Sequence, residues 1–267
     1  MGVVNVTPDS FSDGGAFDDA EDAIAHGRRL AAEGAAILDV GGESTRPGAD
    51  PVPASEELRR VLPVIAGLAA TARVSIDTMK LAVAEAAVDA GATYINDVTA
   101  FRHDPDLAGL VADRGLDCCL MHMLGEPRTM QQNPRYDDVV SDVKAFLSDR
   151  MEAAMRAGVP EERIQLDPGI GFGKTLEHNL ELLRRLEELT ELGRPLVIGT
   201  SRKSFLGRIT GRDVTERVPA TVASCVLALE RGASVFRVHD VAAVSDALKV
   251  ASATVAGWPT SPRTMTS

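Results

Sequence analysis

Eight short apolar runs, each followed by a longer stretch with helical periodicity, divide the 267-residue chain and leave few folds open to it. The runs lie at residues 3–6, 36–40, 74–77, 94–97, 117–121, 164–167, 196–199 and 235–238. The helical stretches lie at 19–32, 55–69, 79–90, 106–114, 137–157, 176–191, 215–230 and 241–255. In the fifth, Val139, Val140, Val143, Phe146, Leu147, Ala154 and Met155 recur at steps of three and four, which marks one face for burial. Gly115 and Gly232 each stand between a helical stretch and the next run, where a left-handed residue ends a helix and glycine does so without a Cβ clash. Alternation of this kind calls for parallel strands joined by crossover helices. It predicts an α/β fold of the (β/α)8 TIM-barrel class, a single domain over residues 1–257, with an open eight-stranded sheet as the competing architecture. The first run begins almost at Met1, so no obvious plug is expected for the bottom of such a barrel. Residues 258–267, rich in Pro, Thr and Ser, are expected to form a disordered tail.

A net charge of −11 gives the chain no general attraction for nucleic acid or for a membrane surface. An anionic ligand must therefore be held by local cations, amide donors or a metal. No apolar stretch reaches the roughly 18 residues of a membrane span, and no basic segment leads into an apolar one at the N-terminus, so the expected location is cytoplasmic. Cys118, Cys119 and Cys225 have no metal-ligand spacing, and the adjacent pair lies in an apolar run, as core thiols do.

The runs end in polar residues in succession. They close with Asn5, with Asp39 before Gly41-Gly42-Glu43-Ser44-Thr45-Arg46-Pro47, with Asp77-Thr78, with Asn96-Asp97 and with Met121-His122-Met123. Then come Asp167-Pro168-Gly169-Ile170-Gly171-Phe172-Gly173-Lys174, Thr200-Ser201-Arg202-Lys203-Ser204 and Arg237-Val238-His239-Asp240. One polar strand end is ordinarily an N-cap for the next helix. A whole series at the end of a parallel barrel where reactive groups gather is a site. Asp77, Asn96 and Asp167 supply acceptors suited to the N–H edge of a heterocycle such as a pterin, or else a buried network that supports the loops. Ser201, Arg202 and Lys203, with Arg237 and His239, put cations and donors after the seventh and eighth strands, where barrels of this class often bind phosphate. Asn5 could offer its amide oxygen to Mg²⁺, with phosphate oxygens and waters completing the octahedron. His26, His103 and His178 fall on helices or loops and carry no assigned role.

At these strings, taken in order from Gly2 to about Ala253, the chain resembles dihydropteroate synthase, a family of pterin-binding barrel enzymes. The resemblance implies condensation of 6-hydroxymethyl-7,8-dihydropterin diphosphate with p-aminobenzoate, giving 7,8-dihydropteroate and pyrophosphate in folate biosynthesis. It also implies a homodimer and a sulfonamide target. Carried over by position, Asp77, Asn96, Asp167 and Lys203 would hold the pterin, with Met121 and Phe172 lining its pocket. Arg237, His239, Ser201 and Asn5 with Mg²⁺ would hold the diphosphate. Phe11 and Asp13 of the first loop, and Thr45, Arg46 and Pro47 of the second, would sit near p-aminobenzoate and the leaving group, with Ser204 near the p-aminobenzoate carboxylate. The catalytic set would be Asp13, facing a developing pterin cation, with Lys203, Arg237 and His239. Two rivals share the pterin-binding ends. A methyltransferase using methyltetrahydrofolate and a corrinoid would need no diphosphate clamp, and a non-catalytic pterin-binding protein would need no order in the long polar loops.

Overall fold

The computed structural model describes residues 1–6, 16–45 and 48–256. Its strands are β1 Gly2–Asn5, β2 Ile37–Gly41, β3 Arg73–Asp77, β4 Tyr94–Asp97, β5 Asp117–Met121, β6 Ile164–Asp167, β7 Leu196–Ile198 and β8 Ala233–Phe236. They form one parallel sheet in strict chain order, with no reversal of the kind that defines a doubly wound sheet. The sheet is curled, and a few main-chain bonds link residues at its two edges. Val3 N donates to Val238 O at 3.0 Å, Val238 N donates to Met1 O at 3.0 Å, and the Met1 amine donates to Phe236 O at 2.9 Å. The join lies just beyond β8 as an isolated parallel bridge between Gly2 and Val238, so the eighth strand starts and ends two residues before the expected run.

Side-chain alternation along each strand sorts the residues into two environments. Leu38 and Val40 of β2, Val74 and Ile76 of β3, and Ile95 of β4 join the main apolar core that the helices cover. Their neighbours Asp39, Ser75, Asp77 and Asn96 face the other way. The lower part of that inner face is apolar: Tyr94, Cys119 and Val197 pack together with Met1, Ile37 and Val235. Tyr94 also donates its hydroxyl to Gln165 at 2.9 Å. The floor of that face is thus filled by residues of the strands and by Met1.

The helices are α1 Ala16–Ala32, α2 Ala54–Leu68, α3 Leu81–Asp89, α4 Leu107–Arg114, α5 Val139–Arg156, α6 Leu176–Arg184, α7 Glu187–Thr190, α8 Ser204–Thr210, α9 Val218–Glu230 and α10 Val241–Ala256. Asp138 caps α5 by accepting from Ser141 N at 2.7 Å, and Thr175 with His178 forms a capping box at α6. The buried face of α5 follows the expected pattern except at Met155, which is 40% exposed. The single helix expected over 176–191 is two, broken at Arg185, whose guanidinium pairs with Asp138, Glu181 and Glu188. Helix α8 was not expected. It follows β7 directly and is ended by Gly211 at φ +70°. The tail expected to be disordered lies outside the described residues.

Candidate active site

The polar ends of the strands converge on the inner face, and a carboxylate with no assigned role in the sequence lies at their centre. Asp39 is fully buried. It accepts from Ser75 Oγ at 2.6 Å, from Asn96 Nδ2 at 3.0 Å and from Arg237 Nε at 2.6 Å. Arg237 also donates through Nη2 to Asp77 Oδ2 at 2.7 Å. The guanidinium thus bridges two carboxylates from β2 and β3, and Asn96 is tied to the same group. The resemblance puts Arg237 at a diphosphate; here two of its nitrogens are engaged deeper, against Asp39 and Asp77.

Asp167 and Lys203 occupy the opposite side of the inner face. Asp167 Oδ1 accepts from Gly169 N at 2.6 Å, fixing the loop that follows β6. That loop alternates glycine with larger residues because it runs against β5. A Cβ at Gly169, where φ is +67°, would stand 1.9 Å from the His122 carbonyl oxygen. At Gly171 a Cβ would touch the Lys203 side chain at 3.0 Å. Lys203 Nζ donates to Ile170 O and sits 4.6 Å from the centre of the Phe172 ring. Phe172 packs on the cluster of Val98, Met121, Met123 and Met130, so the two expected pocket residues, Met121 and Phe172, do come together. Lys174 and His122 belonged to the quoted motifs without a role. Buried Lys174 contacts His122 Nδ1 at 2.8 Å and donates to Phe172 O at 3.0 Å, holding the glycine loop from below.

After β7 and β8, Ser201 Oγ lies 2.9 Å from His239 Nδ1 and accepts from His239 N at 3.1 Å. Arg202 turns away into a two-pronged ion pair with Asp240. Of that string, Ser201 and Lys203 are therefore the members that meet the other site residues. Ser204 is exposed at the start of α8, while Asn5 and Thr45 are half-buried. Lys80, at the start of α3, pairs with Glu43 of the loop after β2 and with buried Glu57 of α2. Asp97, adjacent to Asn96, points to the other side and shapes its own turn by accepting from Thr99 N and Phe101 N at 2.7 Å each. Phe11, Asp13, Arg46 and Pro47 lie outside the described residues.

Burial sets the titration of these groups. It pushes Asp77 up to about 7 even though the Arg237 guanidinium pulls the other way, and Asp39 adds to the rise. It raises Asp167 as well, against the pull of Lys203. It lowers Lys203 to about 8, with Asp167 opposing and Arg237 reinforcing. Burial works against the charge on Arg237, but Asp39 and Asp77 outweigh it and keep the group firmly cationic. His122 falls to about 2 through burial and the neighbouring Lys174, so it stays neutral. Among the described residues no cluster of three or more His, Cys, Asp or Glu could hold a metal, and no helix is long and apolar enough to cross a membrane.

A family model described as pterin binding enzyme matches residues 1–239. Dihydropteroate synthase of Escherichia coli strain K12 is 44% identical over 257 residues, spanning 96% of this chain and 91% of that protein. The solved structure of Xanthomonas albilineans dihydropteroate synthase with 4-aminobenzoic acid aligns at TM-score 0.90 and 52% identity, over 95% of this chain and 92% of that one. A second X. albilineans structure, in complex with 7,8-dihydropteroate, aligns at TM-score 0.86 and 49% identity over the same shares, 95% and 92%.

Proposed function

The chain belongs to the pterin-binding enzyme family, and from that premise we propose that it works as a dihydropteroate synthase, joining the methylene of 6-hydroxymethyl-7,8-dihydropterin diphosphate to the amine of p-aminobenzoate. The curled sheet is read as a (β/α)8 barrel with this reaction at its mouth. One observation carries the assignment. Asp77, Asn96 and Asp167 each use one side-chain atom inside the protein and leave an oxygen without a hydrogen bond among the described residues, with Lys203 beside them. A dihydropterin presents N–H groups at its 2-amino group and ring nitrogens, and a carbonyl at C4. Three acceptors and one cationic donor match that edge. The Phe172 ring and Met121 supply an apolar wall for the flat ring.

The chemistry asks little of a general base. The bond from the methylene carbon to the diphosphate oxygen breaks with its electron pair leaving on pyrophosphate, and the electron-rich dihydropterin disperses the positive charge. The arylamine is neutral near pH 7, so its lone pair is free to form the new carbon–nitrogen bond, after which nitrogen releases a proton. The carboxylates of Asp77 and Asp167 favour the developing cation, while Ser201, His239 and the remaining Arg237 nitrogen face the departing charge. The first and second loops, with Asp13, Phe11, Thr45, Arg46 and Pro47, would cover the reacting carbon and exclude water, and Ser204 would lie near the p-aminobenzoate carboxylate. Asn5 fits a role in holding Mg²⁺: its amide makes no hydrogen bond among the described residues, and one protein oxygen suits an ion that keeps waters and takes substrate oxygens. When bound, Mg²⁺ would neutralise charge on the leaving diphosphate. Sulfonamides, which carry an arylamine like that of p-aminobenzoate, would compete for its position.

Pyrophosphate release from the pterin diphosphate tests the assignment. Release should require p-aminobenzoate and should collapse when EDTA removes Mg²⁺. Release indifferent to the arylamine, or none at all, would exclude the synthase and favour a pterin binder. The same assay has a predictable pH profile. Asp77 accepts N–H bonds as a carboxylate, so activity should fall as pH drops below about 7; Lys203 donates as a cation, so activity should fall as pH rises above about 8. The kcat/KM for the pterin diphosphate should therefore trace a narrow bell between about pH 6 and about pH 9.5. Lys203→Arg should flatten the alkaline limb, because a guanidinium keeps its charge throughout that range.

A further inference from the structure

We propose that Asp39 is a positioning residue that decides which face of the Asn96 amide meets the pterin and holds Arg237 in place beneath it; the inference rests on the reaction assigned above. Asp39 is fully buried on β2, and each of its hydrogen bonds among the described residues comes from a donor on another strand or beyond one: Ser75 Oγ, Asn96 Nδ2 and Arg237 Nε. An asparagine amide carries a double donor and an acceptor of nearly the same size, and a half-turn about its last torsion exchanges them. Asn96 alone could therefore offer a ligand either one. Against a carboxylate that only accepts, the amide nitrogen must turn inward, and Oδ1 is left for the ligand. A pterin edge made of N–H groups needs that oxygen, and an NH₂ in its place would meet donor with donor. The same carboxylate pins Arg237 by Nε, which leaves Nη2 for Asp77. Ser75 satisfies the second oxygen of Asp39, the one that faces neither Asn96 nor Arg237. Asp39 touches no part of the substrate in this scheme; it acts through two residues that would.

Asp39→Asn, Asn96→Asp and the double exchange test the idea on the full chain. Asp39→Asn frees the amide at 96 to turn over, and KM for the pterin diphosphate should rise by about 10- to 100-fold while KM for p-aminobenzoate moves by less than about twofold. Asn96→Asp sets two carboxylates face to face and should lose at least as much. In the double exchange the amide at 39 can donate to the carboxylate at 96, whose other oxygen again faces the pterin, and the oxygen at 39 still accepts from Ser75, while Arg237 Nε, which shared the replaced atom, loses its acceptor and the guanidinium keeps Asp77 through Nη2. The double variant should recover at least about tenfold in pterin KM over the worse single variant. A merely structural role predicts no such recovery. Ser75→Ala, which removes one donor and leaves the Asn96 pairing intact, should lower the thermal midpoint and keep pterin KM within about threefold. If Asp39→Asn fails to fold, Asn96→Asp and the double exchange carry the comparison. An unaltered pterin KM in Asp39→Asn, or a double exchange no better than the worse single variant, would overturn the proposal. Failure of the reaction itself would show instead in the unaltered chain, as an absence of arylamine-dependent pyrophosphate release.

Discussion

Alanine at position 169 should unfold the pterin end of the site at a cost of about 3 kcal/mol or more. Gly169 has φ +67°, and a left-handed conformation alone costs an alanine roughly 1–2 kcal/mol. The added Cβ would also lie 1.9 Å from the carbonyl oxygen of His122, a main-chain atom that cannot swing aside as a flexible side chain could. The loop must move as a whole. Such a shift breaks the bond from Gly169 N to Asp167 at 2.6 Å and the turn from Phe172 N to Gly169 O at 3.0 Å. Both Asp167 and the Phe172 ring would leave their places, so pterin KM should rise by at least about tenfold along with the loss of stability. Gly193→Ala is the matched control. It has φ +71° with nothing within 4 Å of the added carbon, so it should cost only about 1 kcal/mol and leave turnover alone. Denaturant midpoints and pterin KM for the two variants measured side by side decide the point.

Arg237→Met should be the most damaging change in stability among the charged residues of the site. It removes the cation from between Asp39 and Asp77 and leaves both carboxylates in the interior without it. Breaking a buried pair from one side costs about 3–5 kcal/mol. The loss should depend on pH in a defined direction. Asp77 already titrates at about 7 in the folded protein against 3.8 as the reference value, and the guanidinium is what holds it from going higher. An acid raised in the fold binds its proton there longer than in the unfolded chain, so stability falls as pH rises from the unfolded value through the folded one. Without Arg237 that window extends above 7. The deficit in thermal midpoint relative to the unaltered chain should therefore hold steady below about pH 6 and widen between about pH 7 and about pH 9. A deficit that is flat over that range would mean that Arg237 does not balance these carboxylates.

Much of this architecture can be read from residue spacing because parallel strands and crossover helices leave different periods in the chain. The strand at 94–97 and the one at 117–121 coincide with β4 and β5 for that reason. Helix α8 escaped notice because seven residues with Gly207 inside them show too little repetition to mark a face. The break at Arg185 escaped because the apolar pattern continues through it, while the turn is held by ion pairs to Asp138, Glu181 and Glu188. In the site, Asp77, Asn96, Asp167 and Lys203 were legible as polar groups at strand ends. Asp39 was visible in the same way, yet its importance depends on register: it stands opposite Ser75, and β4 brings Asn96 opposite Asp77. Alternation also separates Asn96 from Asp97, which a list of polar residues treats alike. The partners of Arg237 are 198 and 160 residues away in the chain, a separation over which spacing carries no signal.

The join between the two ends of the sheet has a mechanical consequence. Met1 and Val3 are stitched to Phe236 and Val238 by a few main-chain bonds, and Asn5 and Arg237 stand on opposite lips of that stitch. In the reaction proposed above, the amide oxygen of Asn5 on one lip and the guanidinium of Arg237 on the other would act on the same leaving group. On that reading, loosening the stitch would spoil turnover before it melted the fold, because these few bonds would set the gauge between the two edges of the sheet.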